Sequence, residues 1–405
     1  MKPKVCFLVA EHPFLDARIF KKEAKTLSKN GYDVTMVVPR INGCLFDIDG
    51  TPFTKDFTSQ NFVHEGITIV TYEKINQENR LKSLHYNIHS QKHNRFTDDL
   101  TRYGLALEAD IYHAHEFFSL YSGIGIKRAL NSRGKEVNLI YDSHELVPDP
   151  YEQTSKSTKK FMMSMLDRML REVDFVITVS DSIKSWYLSI NPSLSIEVIY
   201  NSPPLAKNYK PKKYTGNNFL AVHEGFISKT RGNWNKILKI TEICNKTMDF
   251  RFKIIGGKRG THTNDLIVPD QLSNQIEIVD WLDYFNISNE VCKADIGWID
   301  LDISNSLNNR YAMPNKFFSY LNNGVPVLVN KCTDMENFIN AHKCGLVIDK
   351  SDASAEDYSL AINYLFKNKK LLTDMSNNAR MVMEETYSWE NMEKRLCAVY
   401  KELLN

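Results

Sequence analysis

Short apolar runs alternate with helical stretches along the whole chain, and this constrains the fold most. Lys4 to Ala10 is such a run, rich in Val and Leu, and the loop Glu11-His-Pro-Phe-Leu-Asp16 follows it. A helix is expected from Arg18 to Asn30, with Ile19, Phe20, Ala24 and Leu27 on one face and Gly31 as its stop. Tyr32 to Val38 returns as a second strand. Strands apolar on both faces, each followed by a helix, describe a parallel sheet covered on both sides. The unit opens a doubly wound α/β domain, whose ligands bind beyond the carboxyl ends of the strands.

The pattern continues with strands at 67–72, 110–115, 137–142, 174–180 and 196–200. It restarts after a polar, Pro-rich stretch with strands at 219–223, 250–255, 276–281, 295–299, 325–329 and 345–348. Residues 41–66 have no clean period and read as a long loop, and 80–108 read as largely helical. The chain is expected to divide into an N-terminal Rossmann-like domain (1–202), a linker (203–216), a C-terminal Rossmann-like domain (217–386) and a final helix (387–405).

Composition narrows the function classes. Of 405 residues, 42% are hydrophobic and 25% charged, as in an ordinary globular protein. A net charge of +2 implies no nucleic-acid field over the whole molecule. No apolar run approaches the roughly 18 residues of a membrane span. Val5 to Ala10 is too short for a signal peptide and charge follows at once, so a cytoplasmic protein is expected. Seven scattered cysteines without a CxxC pair point to reduced thiols rather than a disulfide scaffold or structural zinc. The stretch from Lys156 to Val173 is basic and amphipathic, suited to an outer helix of an α/β domain or to a membrane surface.

Several residues stand at expected ligand edges. His12, Asp16 and Arg18 follow the first strand, although Asp16 is equally suited to capping the helix. His113, His115 and Glu116 end one strand, and Asp142, His144 and Glu145 end the next. His113 and His115 are read as alternating along their strand rather than facing a common ion. No metal site is therefore expected, and hydrogen bonding from histidine to a polar ligand is preferred. In the second half, Gly225 lets a ligand approach the backbone, and Lys229 and Arg231 suit phosphate. The stretch Met313 to Val329 reads as loop, helix, turn and buried strand. Pro314 stands in the helix's first turn, Lys316 adds charge at its positive end, and Gly324 closes it. GxGxxG is absent, and Asp300-Leu-Asp302 is taken as a chance match to a metal-binding DxD.

The motifs, taken in order, resemble the GT-B glycosyltransferases of the family 4-like group (glycosyl transferases group 1), of the bacterial surface-polysaccharide type. The resemblance runs through Asp16-Ala-Arg18, Ala109-Asp-Ile-Tyr-His-Ala-His115, Tyr141-Asp-Ser-His-Glu145 and Val198-Ile-Tyr-Asn201. It continues through Gly225 with Arg231-Gly232, Ile254-Ile-Gly-Gly257, Pro314-Asn-Lys-Phe-Phe-Ser-Tyr320 and Tyr387-Ser-Trp-Glu390. It implies two Rossmann-like α/β/α domains facing across a cleft, with the last helix crossing back to the first domain. It also implies transfer of a sugar from a nucleotide sugar to a glycan or polyprenyl-linked acceptor with retention, in surface polysaccharide synthesis. No cofactor or metal would be needed, a UDP-sugar is slightly favoured as donor, and peripheral contact with the inner face of a membrane is allowed. Nucleic acid is not an expected partner.

Residue by residue, the resemblance gives His144, Arg231 and Lys316 the catalytic roles. It gives Gly225, Trp281, Leu282, Pro314, Asn315 and Ser319 donor contacts, and places His12, Asp16, Arg18, His115 and Glu145 on the acceptor or diphosphate side. The chain departs from the pattern at Ser319 and Tyr311, where the group usually carries glutamates. Those departures motivate one alternative, a non-catalytic partner subunit of the same fold; a second alternative is a nucleotide-sugar epimerase of that fold.

Overall fold

The computed structural model describes residues 2–90, 92–228, 231–257, 266–284 and 286–405. The chain groups into two units, residues 1–199 with 393–405, and residues 200–392. The stretch expected as a linker, 203–216, groups with the second unit.

The first unit holds an eight-stranded sheet. Its strands are β1 (Lys4–Val9), β2 (Asp33–Arg40), β3 (Asn61–His64), β4 (Ile67–Glu73), β5 (Ile111–His115), β6 (Asn138–Ser143), β7 (Phe175–Thr178) and β8 (Ile196–Val198). Their order is β3-β4-β2-β1-β5-β6-β7-β8, and every pair is parallel except β3 with β4. β1 has β2 on one side and β5 on the other, so the order reverses there. Loops leaving β1 and β5 part in opposite directions and open a crevice. His12 follows β1, and His115 and Glu116 end β5.

Two expectations change here. The expected loop at 41–66 carries β3, paired antiparallel with β4, and closes on itself through bridges Ile41–Cys44 and Phe46–Pro52. The expected helical stretch at 80–108 is two helices, Leu81–Ser90 and Asp99–Leu107. Asp98 caps the second by accepting from Thr101 N at 2.9 Å. The basic helix Lys156–Met169 buries Met165, Leu166 and Met169. It packs against Leu81–Ser90, with the rings of Phe161 and His85 5.0 Å apart and Ser164 Oγ 3.0 Å from His89 Nε2. That contact covers part of its apolar side. Among the described residues no helix is long and apolar enough to cross one.

The first helix begins with a widened π turn, Ile19–Ala24, before Lys25–Lys29. The amides of Lys21 and Glu23 reach back five residues to the carbonyls of Asp16 and Arg18, at 3.1 and 2.9 Å. Such widening often marks a functional segment; here it coincides with the buried pair Arg18 and Glu23. The final helix, Trp389–Leu403, carries Tyr400 into the first unit's core, where its hydroxyl lies 2.8 Å from His113 Nδ1.

The second unit holds a six-stranded, all-parallel sheet of β9 (Asn218–Phe226), β10 (Asp249–Gly257), β11 (Ile276–Val279), β12 (Ile296–Ile299), β13 (Val327–Asn330) and β14 (Gly345–Ile348). The order is β11-β10-β9-β12-β13-β14, so the reversal falls between β9 and β12. Residues leaving β9, Glu224 and Gly225 among them, therefore stand at this sheet's crevice. The helix Asn315–Asn322 follows, with Pro314 at its N-cap, one position earlier than expected. Gly324 closes it at φ 63°, with Gly324 N on Leu321 O (2.9 Å) and Val325 N on Tyr320 O (3.0 Å). These are the two bonds of a Schellman ending. The helix lies close to β12 because Gly297 has no side chain; a Cβ there would fall 2.1 Å from the Tyr320 ring.

Candidate functional site

In the first unit the crevice residues form two layers. The deeper layer is charged and closed. Arg18 is 1% exposed and donates through Nε and Nη2 to both oxygens of Asp142, each at 3.0 Å. Its third arm donates to Ile199 O at 2.9 Å, and Glu23 Oε1 lies 2.9 Å from Nε. Burial works against both charges, yet the facing partner wins. Arg18 is raised above its usual range and Asp142 held well below the usual carboxylate range. Burial pushes Glu23 up and the imidazoles of His113 and His115 down. The layer is thus one ion pair packed among groups that favour neutrality. Arg18 and His115, expected on the ligand side, belong here; neither reaches an open surface.

The reading of His113 and His115 is also corrected. Side chains two apart on a strand share a face, and these rings stack at 4.3 Å. With Glu23 and Asp142 they bring four potential ligand atoms within 4.8 Å of one another. Arg18 already engages both oxygens of Asp142, so a cation there would have to displace a guanidinium.

The outer layer is His12, Asp16, Glu116 and His144. Asp16 caps its helix, accepting from Arg18 N (2.8 Å) and Ile19 N (3.0 Å). The rings of His12 and His144 lie 4.9 Å apart. Glu116 Oε1 is 3.9 Å from His12 Nε2 and 3.9 Å from His144 Nδ1. The far side of His144 faces Asp142 Oδ2 at 3.4 Å and His115 Nδ1 at 3.2 Å, which orients its ring. Two imidazole nitrogens and one carboxylate oxygen facing each other could hold a divalent cation or hydrogen-bond sugar hydroxyls. Glu145 is exposed.

Glu116 was placed at a ligand edge from sequence without a role, and its backbone conformation sets it apart. It sits at φ 73°, ψ 171°, a region that essentially only glycine visits freely. The strain is held by β-sheet pairing on one side, Glu116 N to Asp142 O at 3.0 Å, and by the helix it starts on the other. It turns the carboxylate toward the two histidines. Burial would lower His12, but the hydrogen bond and charge of Glu116, with Asp16 and Glu11, raise it to about 9. In Glu116→Gln, His12 is therefore expected to titrate well below 9, read from its ring resonances in NMR. An unchanged His12 titration would remove Glu116 as its main partner.

Beside this crevice lies a cavity of about 620 Å³ lined by Glu11, Tyr72, Glu73, Lys74, Asp98 and Phe118, among others.

In the second unit the site gathers around Lys316. Its Nζ lies 3.4 Å from His223 Nε2. Burial lowers Lys316 to about 8; the Glu224 carboxylate opposes this and Arg231 adds to it. His223 is 1% exposed, and burial, then Lys316, keeps it neutral. Gly225, at φ 97°, faces the lysine: a Cβ there would lie 3.8 Å from Nζ. Gly232 leaves room for the His223 ring, where a Cβ would fall 2.5 Å from it. Arg231 bridges to Leu301, and its N–H donates to Ser228 Oγ at 3.1 Å; Lys229 lies outside the described residues. A Cβ on Gly256 would lie 3.5 Å from the Trp281 ring and 3.7 Å from Gly225 Cα, so Trp281 borders the same opening. Leu282 beside it is half-buried.

Pro314 gives the helix no side-chain cap, and Asn315 in its first turn is exposed. The helix therefore presents amides beside Lys316. Ser319, one turn on, hydrogen-bonds the Glu224 carboxyl. Asp300, of the DxD spelling, is held by Lys236 at 2.9 and 3.0 Å and by the Tyr358 hydroxyl at 2.9 Å. Asp302 turns to Ser304 N at 2.9 Å. Both carboxylates have partners within the chain. His223 and Glu224 were not singled out from sequence; their one signal was their place directly before Gly225.

The Glycosyltransferase Family 4 profile matches residues 17–205. The Bacillus subtilis protein named "Putative glycosyltransferase YtcC" is 23% identical over 273 residues. That match covers 61% of this chain and 65% of the relative's length. Among solved structures, sucrose-phosphate synthase from Thermosynechococcus elongatus superposes with a TM-score of 0.72 at 13% identity, covering 100% of this chain and 99% of that one. Anabaena HepE in complex with UDP and glucose gives 0.69 at 14% identity, covering 98% and 99%.

Proposed function

We propose, from the match of residues 17–205 to the Glycosyltransferase Family 4 profile and from the GT-B fold, that the chain transfers a sugar from a nucleotide sugar to a glycan or lipid-linked glycan. The observation that carries the reading is the cluster around Lys316. A half-buried ammonium, the uncapped amides of the helix Asn315–Asn322 and Arg231 stand where Gly225 leaves the backbone open. This is a site for a diphosphate. The complex of the similarly folded HepE with UDP-glucose supports a nucleotide-sugar donor, and a UDP-sugar is our first choice.

In this proposal charge builds on the leaving diphosphate as the glycosidic bond breaks, and Lys316, Arg231 and the amides oppose it. The transferred sugar leaves with retention, through a front-face, oxocarbenium-like displacement. Within the first unit, His144, its ring oriented by Asp142, is proposed to hydrogen-bond sugar hydroxyls. The cations and amides replace a metal at the diphosphate, so turnover, followed as released nucleoside diphosphate, should persist in EDTA. Loss in EDTA with recovery on adding Mg²⁺ or Mn²⁺ would overturn the metal-free reading.

The pH dependence follows from Lys316. A bound diphosphate favours the charged lysine and raises its value above the free enzyme's value of about 8. Above that pH the free site must take up a proton to bind. The dissociation constant for the nucleoside diphosphate should therefore rise, by up to about tenfold per pH unit, until the bound form's value is reached. Titration calorimetry from pH 7 to 9 in two buffers checks this. A flat profile without proton uptake would show that Lys316 is not the contact.

A further inference from the structure

Three side chains of the first unit's outer layer converge from three strand ends. His12 follows β1, Glu116 follows β5 and His144 follows β6. One potential ligand atom from each lies within 4.8 Å of the other two. Glu116 Oε1 stands 3.9 Å from His12 Nε2 and 3.9 Å from His144 Nδ1. An ion bonded at about 2.0–2.1 Å to two atoms spans at most about 4.1 Å, and a tetrahedral angle brings that pair to roughly 3.4 Å. Both separations fall inside this interval. The second nitrogen of each ring faces a carboxylate: His144 Nε2 is 3.4 Å from Asp142 Oδ2, and His12 Nδ1 is 3.8 Å from Asp16 Oδ2. A carboxylate behind each imidazole fixes the ring and its tautomer, so the inner nitrogen keeps its lone pair for an ion. The His12 side chain is 29% exposed, against 6% for Glu116 and 9% for His144, so an ion would enter past His12.

Two nitrogens and one oxygen are a donor set for zinc and its transition-metal neighbours rather than for magnesium or calcium, which take oxygen. Three protein ligands leave a fourth position for water. We propose that His12, Glu116 and His144 form a zinc site, with Asp16 and Asp142 as its outer carboxylates. Zinc takes the place of any proton held between His12 and Glu116, since metal ligands bind deprotonated. The site is separate from the metal-free chemistry at Lys316. Bound zinc engages His144 Nδ1, so that nitrogen can no longer hydrogen-bond a sugar hydroxyl, and zinc should inhibit transfer. The site itself does not depend on the sugar-transfer reading; only the inhibition rests on it.

Calorimetric titration of the full chain with zinc chloride, after stripping with EDTA and dialysis, tests the site. The proteins are wild type, His12→Ala, Glu116→Gln, Asp16→Asn and His89→Ala, with folding checked by thermal unfolding. Asparagine at position 16 can still cap the helix. Wild type should bind one zinc tightly. His12→Ala and Glu116→Gln should each weaken it by at least about 100-fold, and Asp16→Asn by about 10- to 100-fold, the cost of losing an outer partner. His89 is the control for surface binding: its ring lies 4.4 Å from that of His85 on an outer helix, and its loss should change nothing. No tight zinc in wild type, or zinc held equally well by folded His12→Ala and Glu116→Gln, would overturn the site. Zinc should also cut turnover in proportion to its occupancy, with recovery in EDTA. Full turnover with the site filled would overturn the inhibition. A protein that binds zinc as described but transfers no sugar in EDTA would count against the glycosyltransferase reading and leave the zinc site standing.

Discussion

Replacing Lys316 by alanine is expected to lower kcat/KM for sugar transfer by about 10²–10³-fold, the usual cost of removing one group that opposes developing charge. The lysine is half-buried, so water screens it little. Its loss also leaves Glu224 without its nearest cation, which adds repulsion between that carboxylate and the incoming diphosphate. Lys316→Arg should recover part of the rate, since charge survives while the reach toward His223 changes. Steady-state kinetics with a nucleotide-sugar donor check this, and an alanine variant with unchanged kcat/KM would remove Lys316 from the mechanism.

The second large effect concerns stability. Arg18→Met should destabilise the protein by about 3–5 kcal/mol, the range for removing one partner from a buried ion pair. The methionine fills much of the space but leaves Asp142, fully buried, without its guanidinium. The pH dependence has a definite sign. The folded Asp142 value is depressed, so the pair adds stability above the ordinary carboxylate value near 3.9 and loses it as pH falls below that. Arg18→Met should therefore flatten the acid limb of the stability profile. Urea unfolding of both proteins between pH 3 and 7 measures it. A loss below about 1 kcal/mol would mean that the pair is not a structural centre. Adding Asp142→Asn to Arg18→Met should restore part of the loss, because no unpaired charge remains.

Arg18 also shows where sequence reading stops. It follows the first strand, where ligand residues of such folds gather, so it was placed at the ligand edge. Its partner Asp142 lies 124 residues later; no local pattern announces that pairing. The strands themselves were legible because parallel strands covered on both faces are apolar throughout, as in β1 and β13. The 41–66 stretch was not, because β3 has alternating burial and contributes only four residues to one sheet edge.

The site was legible where chemistry and punctuation coincide. Pro314, Lys316 and Gly324 mark a helix start, a charge and a helix end, and the structure brings Lys316 to Gly225 and Arg231 from the neighbouring strand ends. Glu224 was not legible, and Glu116 was legible only as a strand-end carboxylate. A single carboxylate has no motif, and the importance of Glu116 lies in a backbone angle that sequence does not display. The histidines at 113 and 115 were misplaced for a simpler reason. The two-residue period of a strand puts them on one face, and the expectation put them on opposite faces.

The central claim is that the second unit binds a nucleotide sugar through Lys316. A thermal-unfolding panel with UDP, GDP, ADP, CMP and their common sugar conjugates, on wild type and Lys316→Ala, tests it most directly. A ligand at 100 times its dissociation constant stabilises by about 2.7 kcal/mol, a readily measured shift. The account predicts a shift selective for one nucleoside diphosphate and its sugar conjugates, lost in the variant. No shift with any of them in the wild type would contradict it.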